Sequence, residues 1–289
     1  MFEQPSRTVS STAGVQVVVY EEPATTTATA PILFSHATGF HGRVFAPVAD
    51  FLADHVRITF DYRGYGDTPP PPQWSLTWEG FGDDALAVAR DAFARHQQPL
   101  VGVGHSMGGA GLVMAALRDP TLFAALVIFE PIIFPPEVRS QARSNNPLAD
   151  VTRRRRRTFA SFDEAIANFA AKPPLSSLHP DSLKAYVHHG FSPSSNGVAI
   201  KCDPELEAQT YEMGAMHDTW PKLGDLRVPT WVMAGAQFEH SPAAIAPRIA
   251  ELIPHCTFVE WSDVGHFGPL DDPRRFAAFV SEVAAGIAE

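Results

Sequence analysis

Short, wholly apolar runs alternate along this chain with longer stretches in which apolar positions recur every three to four residues. Val56–Asp61 and Cys256–Trp261 read as strands, while the runs Pro31-Ile32-Leu33-Phe34-Ser35, Leu100–Val103, Ala124–Phe129 and Val228–Gly235 lack in-out alternation. They predict strands buried on both faces. Between them, Val44, Phe45, Val48, Phe51 and Leu52 keep a helical period over 44–54. Phe81, Ala85, Leu86, Val88, Ala89 and Phe93 do so over 79–96, and further helices are predicted at 110–117, at 242–252 and from about 272. Strand and helix in alternation argue a parallel, doubly wound sheet. The N-terminus differs: the turn signal Ala13-Gly14 precedes the β-branched run Val15–Tyr20, which predicts a hairpin opening the sheet.

From Pro131 the alternation stops. Prolines 131, 135 and 136 break it, and 137–216 carries helical pieces without a convincing strand signal. Ser161 with Glu164 fits a capping box at the start of one of them. The pattern predicts a helical cap insertion, 135–216, over a core formed by 1–134 and 217–289.

Charge and cysteine usage narrow the function. The net charge of −10 argues against nucleic acid and anionic membrane surfaces as partners. Cys202 and Cys256 form neither a disulfide framework nor a metal-ligand spacing, and neither cofactor nor metal is expected. Met1 is followed by acidic and polar residues rather than a secretory leader, and no apolar run reaches a membrane span, so a cytoplasmic location is expected. The run Arg153–Arg157 would wrap a helix on all sides and cannot make one basic face. Most of it reads as solvated or paired with the excess acids.

The candidate chemistry centres on Gly104-His105-Ser106-Met107-Gly108-Gly109, which follows an apolar strand and opens a helix. Strand, G-x-S-x-G, helix is the context of a nucleophile elbow: a turn too tight for side chains at its flanks lifts the serine hydroxyl to a helix N-terminus. The Gly-rich loop His36–Gly42 after the strand 31–35 suits a second oxyanion donor, the N–H of Thr38 beside that of Met107. Serine needs a base, and the base needs a carboxylate to orient it. Of twelve histidines, His266 stands out in a Gly-flanked loop after the last strand. His36 and His105 read as supports of the elbow, and His41, His188, His189 and His240 as surface or cap residues.

Together Ser35–Phe40, Asp61-Tyr62-Arg63-Gly64-Tyr65-Gly66, Gly104–Gly109 and Gly265-His266-Phe267 resemble the α/β-hydrolase superfamily, over nearly the whole chain. The resemblance implies an α/β-hydrolase fold, an eight-stranded mostly parallel sheet with helices on both faces and a helical cap. It also implies Ser106 as nucleophile and His266 as base. It offers two positions for the acid. After the strand 228–235, Phe238 stands where an Asp is usual, and Glu239 is one residue out of register. At the end of the strand after the nucleophile helix stands Glu130, 24 residues beyond Ser106, where some haloalkane dehalogenases and related cap-bearing enzymes keep their acid. A charge closing the apolar run Leu126–Phe129 is costly unless paired, which favours Glu130. Glu239 and Asp263 remain alternatives.

A serine nucleophile argues against the epoxide-hydrolase and dehalogenase branches and for acyl transfer to water, as in a carboxylesterase. Phe40, Met107, Phe134, Phe191, Phe238 and Phe267 are candidate walls for a small apolar ester, although core packing accounts for each equally well. C–C bond hydrolysis, perhydrolysis or lyase chemistry on the same triad stays open, as does a ligand receptor without turnover.

Overall fold

The structure is a computed structural model, and it describes residues 2–26, 29–71, 73, 76–138, 146–237 and 241–287. Its strands are β1 (Arg7–Ser10), β2 (Gln16–Glu22), β3 (Ile32–Ser35), β4 (Arg57–Asp61), β5 (Leu100–His105), β6 (Phe123–Phe129), β7 (Thr158–Phe159), β8 (Phe191–Ser194), β9 (Gly197–Ile200), β10 (Thr230–Ala234) and β11 (Cys256–Glu260). Eight of them form one sheet in the order β1-β2-β4-β3-β5-β6-β10-β11. Pairing is antiparallel at β1–β2 and β2–β4 and parallel from β4 to β11. This is the expected mostly parallel, eight-stranded α/β-hydrolase sheet.

The uninterrupted apolar runs are explained by burial on both faces. Every residue of β3, β4 and β5 is buried. One face packs against the helices Trp78–His96, Met107–Arg118 and Pro242–Leu252 through Phe81, Val88, Leu112 and Ile249. The other packs against 44–52 and the helix Pro273–Gly286 through Phe45, Val48, Leu52, Phe276 and Val280. The chain leaves β3 for β4 on one side and returns to β5 on the other. The crevice between the carboxyl ends of β3 and β5 is therefore the point where strand order reverses, the place where such sheets bind ligands.

The helix expected over 44–54 is broken into a 3₁₀ turn at Gly42–Phe45, an α turn at Ala46–Ala49 and a second 3₁₀ turn at Asp50–Leu52. Pro47 has no N–H for the carbonyl of Arg43, so a regular helix cannot run through it. Phe51 is consequently exposed rather than inward, with the Arg274 guanidinium over its ring.

The insertion also differs from expectation. Besides the helices Pro147–Arg153, Phe162–Ala170, Pro180–Gly190 and Pro204–Met213, it holds a three-stranded sheet, β7-β9-β8. Its strands are too short to show a period, and Pro193 argues against strand in β8. The hairpin turns tightly between Ser194 and Gly197. The arginine run leaves the helix at Arg153 and spreads: Arg153 pairs with Glu205 and Glu212, Arg155 with Glu207, Arg156 with Glu164 and Arg157 with Asp203. Tyr65 and Trp78 of the core pin the insertion by donating to the hydroxyl and carbonyl of Thr210. Among the described residues no helix is long and apolar enough to cross a membrane.

Three histidines are buried beside the crevice. Burial holds His36 near about 4 and His41 and His105 well below their ordinary value. The unfolded chain therefore takes up protons below about pH 6.5 that the folded chain refuses, and stability falls as pH drops from there toward 4. For His36 alone the loss approaches about 3 kcal/mol at the acid end of that window. The thermal midpoint should fall steadily on acidification through this range, and a flat profile would contradict neutral burial.

Candidate active site

The elbow forms because two glycines allow it. A Cβ on Gly104 would lie 2.6 Å from the Gly109 Cα, and one on Gly108 would lie 2.1 Å from the Ser35 carbonyl oxygen. With neither present, Ser106 takes φ 56° and ψ −117° and its N–H donates to the Phe129 carbonyl at 2.9 Å. The cost of such a conformation, of order 1–3 kcal/mol, persists only where the surroundings impose it. Met107 is the first residue of the helix that follows, so its N–H has no partner within that helix.

The close approach of Gly108 to Ser35 and His36 lays the loop after β3 along the first turn of this helix. Within that loop Phe40 N–H donates to the Ala37 carbonyl at 3.2 Å and Gly39 has φ 81°, the positive value a type II turn requires at its third residue. Thr38 is the second residue of that turn and is nearly buried. The chain thus brings Thr38 and Met107 onto adjacent segments at one end of the crevice.

Glu130 is 1% exposed and sits just past β6 with φ 44°. Its Oε1 accepts the Gly235 N–H at 2.9 Å and its Oε2 meets the His266 Nδ1 at 2.6 Å. Both carboxylate oxygens are engaged, which offsets the cost of burying the charge. Gly235 fits there only because it lacks a side chain: a Cβ would lie 2.6 Å from the carbonyl oxygens of Val264 and Gly265.

His266 is partly open to solvent, its side chain 31% exposed. Its carbonyl accepts from the His105 Nε2 at 2.7 Å, and the two imidazole centroids are 4.9 Å apart. Burial, with His266 beside it, keeps His105 neutral, so it is a donor supporting the loop, as its motif position suggests. Among the described residues the Ser106 hydroxyl makes no hydrogen bond to His266. Such contacts are often long without substrate and tighten when it binds.

The other carboxylates stand apart. Asp263 is exposed and pairs with Arg275 at 2.8 Å. Glu239 lies outside the described residues, as does Phe238. Of the expected pocket walls, Phe40 and Phe267 face each other at 5.5 Å, and Phe267 also lies 5.4 Å from the His266 ring. Phe191 is set back in the insertion against Phe159, Phe169 and Tyr186, and Phe134 is half-buried after β6. The part played by Gly235 was not foreseen. Its signal was a glycine ending a buried strand that neighbours the one closed by Glu130.

The alpha/beta hydrolase family model matches residues 32–279. The chain is 24% identical to 2-(acetamidomethylene)succinate hydrolase of Mesorhizobium japonicum, over 82% of this chain and 81% of that one. It is 25% identical to the pimeloyl-[acyl-carrier protein] methyl ester esterase of Chromobacterium violaceum, over 87% and 92%. A thermophilic esterase from Thermogutta terrifontis has the same fold, with a TM-score of 0.70 at 22% identity over 99% of this chain and 100% of that one.

Proposed function

The chain belongs to the alpha/beta hydrolase family, and from that premise we propose that it is a carboxylesterase-like serine hydrolase working through an acyl-enzyme. Ser106 is the nucleophile, His266 the base and Glu130 the acid, with the N–H groups of Met107 and Thr38 as oxyanion donors. The observation that carries this reading is the 2.6 Å contact from His266 Nδ1 to a carboxylate buried at the end of β6. A carboxylate on Nδ1 fixes the proton there and leaves Nε2 free to take the serine proton.

Attack of the Ser106 Oγ on the acyl carbon passes its proton to Nε2 and puts the carbonyl charge between the two amides. Collapse expels the alcohol, which takes the proton from His266. Water then enters by the reverse route, releasing the acid and the free serine. Phe267 beside His266, with Phe40 packed behind it, suits a small apolar ester. C–C bond hydrolysis, perhydrolysis and lyase chemistry would use the same residues, and a substrate panel separates them from ester hydrolysis. Two free cysteines agree with a reducing compartment such as the cytoplasm.

A fluorophosphonate should label the protein on Ser106, located by mass spectrometry, and p-nitrophenyl esters should be turned over. Failure of both would leave a ligand receptor without turnover and sink the hydrolase reading.

A further inference from the structure

One charged cluster near the site takes no part in that mechanism. Glu207, on the helix Pro204–Met213, is 3% exposed. Its only charged neighbour among the described residues is Arg155, whose Nη2 lies 2.6 Å from the Glu207 Oε2. The other groups facing it are Tyr186, Tyr65, Tyr211 and Cys202, all pushed upward by burial and therefore neutral. Burial pushes the Glu207 carboxyl up as well, against the pull of Arg155.

The carboxylate rests on the oxyanion loop. A Cβ on Gly39 would lie 2.6 Å from the Glu207 Oε1, so the acid fills the space that any other residue at position 39 would need. Gly39 is the third residue of the Ala37–Phe40 turn, and Thr38 is the second. The helix bearing Glu207 is itself held to the core, through Tyr65 and Trp78 on Thr210.

We propose that Glu207 is a positioning residue, wedged against Gly39 to hold the turn that aims the Thr38 amide, and that Arg155 cancels the charge this places beside the developing oxyanion. The proposal rests on the serine-hydrolase reading. A buried anion without its partner opposes the same charge that the two amides stabilise. A buried acid that loses its cation titrates well above its usual range, up to about pH 8–9.

Fluorophosphonate labelling and p-nitrophenyl ester turnover, followed between about pH 6 and about pH 9, test this. Arg155→Gln should match the wild type at the acid end and gain a falling alkaline limb, reaching a loss of about tenfold as Glu207 ionises. The limb should appear in kcat with KM unmoved, and it should vanish in Arg155→Gln combined with Glu207→Gln. A structural role for Arg155 alone would lower both variants alike at every pH. Should Arg155→Gln not fold, the wedge is read separately: Glu207→Gln keeps labelling within about threefold, and Glu207→Ala loses about tenfold.

Absence of the limb in folded Arg155→Gln, its survival in the double variant, or equal rates for Glu207→Ala and Glu207→Gln would overturn the proposal. A wild type that neither labels nor turns over esters would overturn the hydrolase reading first, a result distinct from a reactive wild type with indifferent variants.

Discussion

Replacing Ser106 by Ala should lower kcat for any ester the protein hydrolyses by about 10⁵- to 10⁶-fold, the loss seen when a serine nucleophile is removed from an intact site. The fold should be unaffected. Ser106 already holds a positive φ of 56° with a Cβ present, so alanine adds no new backbone strain. Its N–H still donates to the Phe129 carbonyl and its own carbonyl still accepts from Ile132 and Ala110. KM should change little, because the lost interaction belongs to the reaction rather than to substrate binding. Residual turnover above the water rate, by about 10³-fold, would come from the amides of Met107 and Thr38. Activity within tenfold of wild type would place the nucleophile elsewhere.

Glu130→Gln should cost about 10⁴ in kcat, as loss of the orienting carboxylate does in serine hydrolases. The amide is nearly isosteric and its oxygen can still accept the Gly235 N–H, so packing survives. What changes is the contact to His266. An amide NH₂ placed on Nδ1 favours the tautomer with its proton on Nε2, and that nitrogen can then no longer receive the serine proton. The positive charge formed on the imidazole during attack also loses its counter-ion. Asp263→Asn should stay within about twofold, since Asp263 is engaged with Arg275 at the surface. Parallel kinetics of Glu130→Gln and Glu239→Gln decide the assignment: activity kept in the first and lost in the second would move the acid to the segment after β10.

The core was legible because most of its strands are runs of apolar residues, as in β3 and β6, and the long helices Trp78–His96 and Pro242–Leu252 keep a helical period. β3 and β4 begin within a residue of their predicted limits, and the helix Pro242–Leu252 matches its prediction. The elbow could be read from Gly104 and Gly108, since no other residue fits those positions. Glu130 could be found because a charge ending β6 demands a partner. The small sheet of the insertion was not legible: two to four residues carry no period, and what holds β9 between β7 and β8 is pairing across the insertion. The apolar period over 44–54 is intact in the sequence, and the break comes from Pro47, which lacks the N–H that a regular helix needs there. The pairing of Arg155 with Glu207 leaves no local trace, because the two are joined only by the folding of the insertion.

Directly after β10, the Gly235 N–H holds the Glu130 Oε1, while the other carboxylate oxygen meets His266. Position 238, free of the carboxylate usual there, holds a phenylalanine. Any side chain at position 235 would collide with the carbonyl oxygens of Val264 and Gly265, in the loop that carries His266. For an engineer, Gly235 is therefore the position to leave unchanged when the rest of the chain is diversified.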